Sequence, residues 1–268
     1  MSGIESGSGQ ETGSATQSDP RSIVIEVREL SKSYGSIRAL TDVNFIIWTG
    51  EVVGLVGDNG AGKSTLIKCL SGAIVPDSGF ILTAGNDHVM RTASDARDVG
   101  IETVYQDLAL IETFDLTDNF FLGREVTHSG WRGLLGILNQ RFMAQRAKSA
   151  ISQLPARFPD LDAPIVTMSG GQRQIVAMAK AAFWGGHLLL LDEPTAALGI
   201  KETQGVLGLV SALAAKGDMG ILLIAHNLEH IFAVCTRVLV MRQGQIIADL
   251  DTKDTDAHSV VAHMTGAV

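Results

Sequence analysis

At 268 residues, 46% of them apolar, the chain is long enough for one large α/β domain or a core with a smaller subdomain. It contains no run near the ~18 uninterrupted apolar residues that a bilayer crossing needs. A net charge of −8 argues against a nucleic-acid surface, which wants a basic patch, and leaves nucleotide binding open, since that needs only a few local cations.

In chain order, residues 1–22 read as a disordered tail. They are mostly Gly, Ser and Thr, lack the basic and apolar segments of a secretory signal, and cannot bury enough apolar surface to offset their ordering entropy. With no spanning segment, this predicts a cytoplasmic chain. Ile23 to Val27 reads as the first strand, and Tyr34-Gly35 as a turn. Asn44 to Ile47 and Glu51 to Val56 read as strands joined at Thr49-Gly50. A glycine-rich loop and a helix over 66–70 follow. Pro76 to Gly79 reads as a turn, Phe80 to Leu82 as a strand, Asp95 to Asp98 as a short helix, and Ile101 to Tyr105 as a strand ending on Gln106.

The pattern then changes. Residues from about 107 to 182 read as a helical insertion, with one helix over Asn139 to Leu154 ended by Pro155, Pro159 and Pro164. Ser169 is placed to cap a helix from Gly170 to Ala182. Leu188 to Asp192 returns as a fully buried parallel strand. Glu202 to Lys216 reads as a helix, Ile221 to Ala225 as a strand and Leu228 to Val234 as a helix. Val238 to Arg242 and Gln245 to Asp249, joined through Gly244, read as a hairpin before a last short helix. The two cysteines, Cys69 and Cys235, lie in these helices without metal-ligand spacing and read as buried small hydrophobes in a reducing compartment. No internal repeat is present, which leaves one domain over 23–268.

Three motifs carry chemistry. Gly57-Asp58-Asn59-Gly60-Ala61-Gly62-Lys63-Ser64-Thr65 fits G-x-x-x-x-G-K-[ST] and lies between a strand and a helix, the context that this motif needs. Its glycines let backbone N–H groups turn inward on an anion, and the helix N-terminus adds unpaired donors. Lys63 can reach the β- and γ-phosphates, and the Ser64 hydroxyl can sit on Mg²⁺. The second motif, Leu188-Leu189-Leu190-Leu191-Asp192-Glu193, delivers Asp192 to the sheet edge where the glycine loop lies, placed to hold the metal, with Glu193 next to it aimed at an attacking water. The third, Ser169-Gly170-Gly171-Gln172, is a second helix N-terminus suited to an anion. A second phosphate nest makes sense if each serves a different subunit's nucleotide.

Taken together, the glycine loop, Gln106, Ser169-Gly170-Gly171-Gln172, Asp192-Glu193 and His226 resemble, in that order, an ABC-transporter ATPase subunit over residues 23–266. The resemblance implies an α/β fold: a P-loop NTPase core with a mixed or parallel sheet, an antiparallel β subdomain and a helical insertion. It implies ATP and Mg²⁺ as ligands. Tyr34 would stack on adenine. Lys63 would bind the β/γ-phosphates, Ser64 the Mg²⁺ and Thr65 the α-phosphate. Gln106 would sense Mg²⁺ and the attacking water, Asp192 would support Mg²⁺, Glu193 would polarise the water and His226 would contact the γ-phosphate. Ser169 and Gly171 would clasp the γ-phosphate held by an opposing subunit. A homodimer, a transmembrane permease and, indirectly, a secreted sugar-binding protein are the implied partners, at the cytoplasmic face of the membrane, with no nucleic acid.

Within that family, Pro194-Thr195-Ala196-Ala197-Leu198-Gly199 carries glycine where many members have aspartate, and Met168 replaces the usual leucine. That departure, with the segments 100–110 and 119–125 and the ending Met264-Thr265-Gly266-Ala267, is similar to the monosaccharide-importer branch, in its single-domain, fructose-import form. The resemblance leaves open another substrate, an exporter, or a regulatory ATP-binding module. The apolar cluster Leu108, Leu110, Ile111, Phe114, Leu116, Phe120, Phe121 and Leu122 fits either the core of the insertion or a groove for a permease helix.

Overall fold

The computed structural model describes residues 22–83, 85–152 and 160–267. Most of the expected tail, and Leu154, Pro155 and Pro159, lie outside these residues. The chain runs β1 (Ile23–Tyr34), β2 (Ile37–Trp48), β3 (Val52–Val56), α1 (Lys63–Leu70), β4 (Ser78–Thr83), β5 (Asn86–His88), α2 (Ala93–Asp98) and β6 (Ile101–Val104). It continues through α3 (Leu116–Phe121), α4 (Trp131–Leu134), α5 (Gln140–Ser152), α6 (Gly170–Trp184), β7 (Leu188–Asp192), α7 (Ile200–Ala215), β8 (Gly220–Ile224), α8 (Leu228–Val234), β9 (Arg237–Arg242), β10 (Gln245–Asp251) and α9 (Ala257–Thr265).

Two sheets form. One is antiparallel, in the order β2-β1-β4-β5; the other has six strands in the order β10-β9-β3-β8-β7-β6, parallel throughout except for the β9–β10 pair. The central strands of the six-stranded sheet are apolar on both faces because both faces are covered. Their side chains alternate between two cores. Val53, Leu55, Leu188, Leu190, Leu222, Ile224, Leu239 and Met241 face the antiparallel sheet and α1. Val52, Val56, Leu189, Leu191, Ile221, Leu223, Val238 and Val240 face α6, α7 and α8. Each fully buried leucine of β7 contributes on the order of 1.5–3 kcal/mol by removal from water. A third core joins α3, α5 and α6, where Leu116, Phe120, Phe121, Met143 and Ile165 meet.

The strand reading of the N-terminal part is corrected in three places. β1 runs on to Tyr34, so the turn is Gly35-Ser36 and Tyr34 pairs with Ile37 across a hairpin. β2 starts at Ile37, not Asn44, and lies in the antiparallel sheet, whereas β3 is central to the other. Their polar positions hid the length of this hairpin. Glu29 and Asp42 sit at positive φ, and the Asn44 side-chain Oδ1 accepts the Glu29 N–H across an irregularity in register. Ser78 and Gly79 belong to β4 rather than to a turn. Cys235 lies one residue past α8, and both cysteines are buried. Burial raises the Cys69 thiol to about 12 and pushes Cys235 up as well.

Candidate functional site

The glycine loop leaves the end of β3 and turns into α1 on three positive φ values, at Gly57, Gly60 and Gly62. Two of these are also sterically required. A side chain at Gly57 would meet the Met241 carbonyl oxygen, and one at Gly62 would lie 2.6 Å from that of Ala39. The Ala61 carbonyl accepts the Gly244 N–H at 2.8 Å, which fastens the loop to the β9–β10 turn. Lys63 is buried, and its Nζ donates to the carbonyls of Gly57 at 2.6 Å and Asp58 at 3.0 Å. Burial lowers its pKa, and the charges of Glu193, Asp58 and Asp192 oppose that shift. Ser64 is exposed and Thr65 half-buried, at the mouth of a cavity of about 230 Å³.

That cavity is lined by Asn59–Thr65, by Glu193 and His226 across from them, and by Ile37, Arg38 and Ala39 of β2. Parallel register explains the meeting: β3, β8 and β7 are neighbours, so their C-terminal ends share one edge. The His226 Nε2 lies 2.7 Å from the Glu193 Oε1, so Nε2 carries a proton and donates it to the carboxylate. Glu193 itself sits at φ 53, in the left-handed region, held by its N–H on the Ile224 carbonyl at 3.0 Å. Such a conformation stores strain in a non-glycine residue, and here it turns the side chain at the end of a buried strand. Asp192, half-buried, has its pKa raised by burial and then by Glu193, against the opposing charges of Lys63, Lys68 and His226.

The remaining expected residues lie elsewhere. Tyr34, 47% exposed, stands on the β1–β2 hairpin beside the cavity wall. Gln106 is exposed beyond the end of β6, next to β7. Ser169, Gly170, Gly171 and Gln172 begin α6 and do not line this cavity. There Ser169 Oγ accepts the Gln172 N–H at 3.3 Å, and Gln172 Oε1 accepts the Ser169 N–H at 2.9 Å, a reciprocal cap. Gly171 has to be glycine, because a Cβ would fall 2.5 Å from Glu202 Cγ. Glu202 also places its Oε2 2.6 Å from where a Cβ at Gly199 would stand, so a carboxylate lies over the residue that lacks one.

Sequence reasoning missed a clasp beside Glu193. Thr195 Oγ1 lies 3.0 Å from His230 Nδ1. Asn227 Oδ1 accepts the Glu229 N–H at 2.8 Å, so its amide nitrogen is what faces His230 Nε2 at 3.4 Å. Nε2 is therefore the acceptor, and Nδ1 carries the proton donated to Thr195. Only the folded chain brings these residues together, and no local spacing marks them. Arg38 and Ala39 of the cavity wall were missed for the same reason.

Of the apolar cluster after Gln106, the structure makes a division. Leu116, Phe120 and Phe121 are buried against α5 and α6. Leu108 and Leu122, together with Phe120, Tyr105, Arg124, Lys180 and Trp184, line a groove of about 220 Å³.

The loop, the acidic strand end and the histidine opposite define a P-loop nucleotide-binding protein. The comparisons narrow this. The "ABC transporter" family model matches residues 40–196. The chain is 41% identical to the xylose/arabinose import ATP-binding protein XylG of Sulfolobus acidocaldarius, covering 90% of this chain and 94% of that one. It is also 41% identical to the fructose import ATP-binding protein FrcA of Rhizobium meliloti, covering 91% and 94%. A ribose import ATP-binding protein of Burkholderia ambifaria is 37% identical, and this chain spans 47% of its length. Among solved structures, cbiO1 from Clostridium perfringens, part of an ABC transporter complex, superposes with a TM-score of 0.73 at 25% identity, covering 92% of this chain and 95% of that one. A dimeric ATP-binding cassette with ADP and Pi superposes at 0.69 and 22% identity, covering 87% and 100%, a likeness of fold. The chain belongs to the ABC transporter family.

Proposed function

We propose that this chain is the ATP-hydrolysing subunit of a monosaccharide importer, closing as a homodimer over two ATPs at the cytoplasmic face of a membrane permease. The observation that carries the reading is the Glu193–His226 pair at 2.7 Å, facing Lys63 and Ser64 across one cavity. The names of the relatives at 41% identity, both import ATP-binding proteins for monosaccharides, support the substrate class. No helix among the described residues is long and apolar enough to cross a membrane, and the relatives' names as import proteins support a permease partner. A secreted sugar-binding protein would serve that permease.

The chemistry follows from placement. Loop N–H groups and Lys63 neutralise phosphate charge, as phosphoryl transfer requires. Tyr34 stacks on the adenine, and Thr65 binds the α-phosphate. Glu193 accepts hydrogen-bonding from a water placed in line with the γ-phosphate, and His226 holds Glu193 while contacting that phosphate. Mg²⁺ fits the donor set: Asp192, Gln106 and the Ser64 hydroxyl are hard oxygen donors, few in number, as expected for an ion bound largely through substrate phosphates. When bound it adds positive charge at the phosphates. Ser169 and Gly171 lie outside the cavity of their own chain, which supports their serving the ATP of a second copy. The groove lined by Leu108, Leu122 and Trp184 suits an apolar permease helix. Isolated subunits should hydrolyse slowly, since each then holds half a site.

The test is Glu193→Gln in the full chain. It should lower ATP turnover by at least about 100-fold, the scale of lost general-base assistance, and elute as a dimer with ATP. A variant that stays monomeric and hydrolyses normally would sink the role. Uptake of labelled monosaccharides in a deletion strain decides the substrate class.

A further inference from the structure

Between α3 and α5 the chain makes a projection, closed at its base by a bridge between Thr127 and Leu138 and carrying the single-turn helix α4 at its tip. Its large apolar side chains point away from the protein. Leu134 is 89% exposed, Leu135 69% and Trp131 67%, and Ile137, Leu138 and Phe142 are also exposed. Soluble surfaces rarely gather so many large apolar groups in one place. No core cluster of the described residues includes any of them.

Charge identifies the occupant. The chain carries −8 overall, yet residues 124–152 hold Arg124, Arg132, Arg141, Arg146 and Lys148 against the single carboxylate Glu125. Arg124 and Lys148 are paired, with Glu102 and Asp162. Among the described residues, no carboxylate pairs with Arg132, within the tip helix, or with Arg141, at the start of α5, and Arg132 lies over the Trp131 ring at 5.5 Å. Trp and Leu ringed by Arg suit the boundary between lipid headgroups and acyl chains, where the apolar body is buried and the guanidinium meets phosphate. The projection begins at Glu125, directly after Leu122 and Arg124 of the groove assigned above to the permease.

We propose that this projection is a membrane foot: Trp131, Leu134 and Leu135 enter the interface of an anionic bilayer, while Arg132 and Arg141 bind lipid phosphate. Its placement beside the bilayer rests on the importer reading; its lipid chemistry rests on the surface alone. The test is co-flotation of the full chain with vesicles of equal parts phosphatidylglycerol and phosphatidylcholine. The wild type should float with these and stay behind with phosphatidylcholine alone. Leu134→Glu with Leu135→Glu should lose at least about tenfold in partitioning with basal ATP hydrolysis unchanged, because each glutamate removes an apolar anchor and adds a like charge to an anionic surface. Trp131 emission, taken as the difference from Trp131→Phe, should shift to the blue on mixing. The proposal fails if the wild type does not bind anionic vesicles, or if the double variant binds them equally. It also fails if the double variant loses the purified permease in detergent while keeping the vesicles, which would assign the foot to a protein. Uptake of labelled monosaccharides by the deletion strain carrying the wild-type chain, measured alongside, separates failure of this proposal from failure of the importer reading.

Discussion

His230 Nδ1 donates to Thr195 Oγ1 at 3.0 Å, which ties helix α8 to the segment that leaves Glu193. Its other nitrogen accepts from Asn227, the residue after His226. One imidazole thus fixes both chain segments that carry Glu193 and His226, and under the proposed function His230 is a positioning residue.

Thr195→Val should therefore lower kcat about fivefold, the equivalent of one lost hydrogen bond of about 1 kcal/mol, with KM for ATP unchanged within about twofold. Thr195→Ser should restore the rate, since it returns the acceptor. Steady-state ATP hydrolysis reads both. A KM change as large as the kcat change would instead point to a binding role.

Ser169→Arg should abolish hydrolysis while the isolated chain binds ATP within about twofold of wild type. The reason is location: Ser169 caps α6 and does not line the cavity that holds Lys63 and Glu193. Calorimetric titration of the non-hydrolysing chain checks it. A large fall in affinity would mean that Ser169 serves its own subunit's nucleotide.

Asp192 predicts a pH effect on stability. Its folded pKa is raised by burial and by Glu193. The folded chain therefore holds that proton more tightly than the unfolded chain. The associated stability is fully present below the ordinary aspartate value of about 3.9 and is lost as pH rises through the folded value. Asp192→Asn should raise the melting temperature of the nucleotide-free protein at neutral pH. The gain should shrink as pH falls into the acidic range. A gain equal at all pH values would rule out the ionisation as its source.

Arg237 bonds Glu51 at 2.7 Å, Asp249 at 2.7 Å and the Ile46 carbonyl, and Glu51 is buried. Arg237→Met leaves that carboxylate uncompensated and should cost on the order of 3–5 kcal/mol in urea unfolding. Adding Glu51→Gln should recover part of the loss, because the remaining group is then neutral. If the double variant is as unstable as the two single losses summed, the ion pair is not what Arg237 supplies.

The site was legible where chemistry is local. The loop Gly57–Thr65 has to be glycine-rich to turn, and Leu188–Leu191 has to be apolar to lie between two layers, so both announce themselves in one short stretch. The strand order of the central sheet and the clasp of Thr195 with His230, 35 residues apart, were not legible, because long-range pairing leaves no local period. Strands β1 and β2 extend beyond the stretches Ile23–Val27 and Asn44–Ile47 legible in the sequence, because the irregular pairing around Glu29 and Asp42 breaks the alternation. Helix α3 was not marked out as an element of its own, since its six residues give less than two turns of periodicity.

The two bonds that Lys63 makes to Gly57 and Asp58 set a threshold for ligands. The loop is shaped by Met241, Ala39 and Gly244, so its form is settled by folding, and the ammonium already has partners of good geometry. Any incoming nucleotide has to offer it something better. An anionic phosphate oxygen does so, because a charge-assisted hydrogen bond is stronger than one to a neutral carbonyl. The lysine's grip on its own loop thus keeps the cation folded against the nest, in place before any anion arrives.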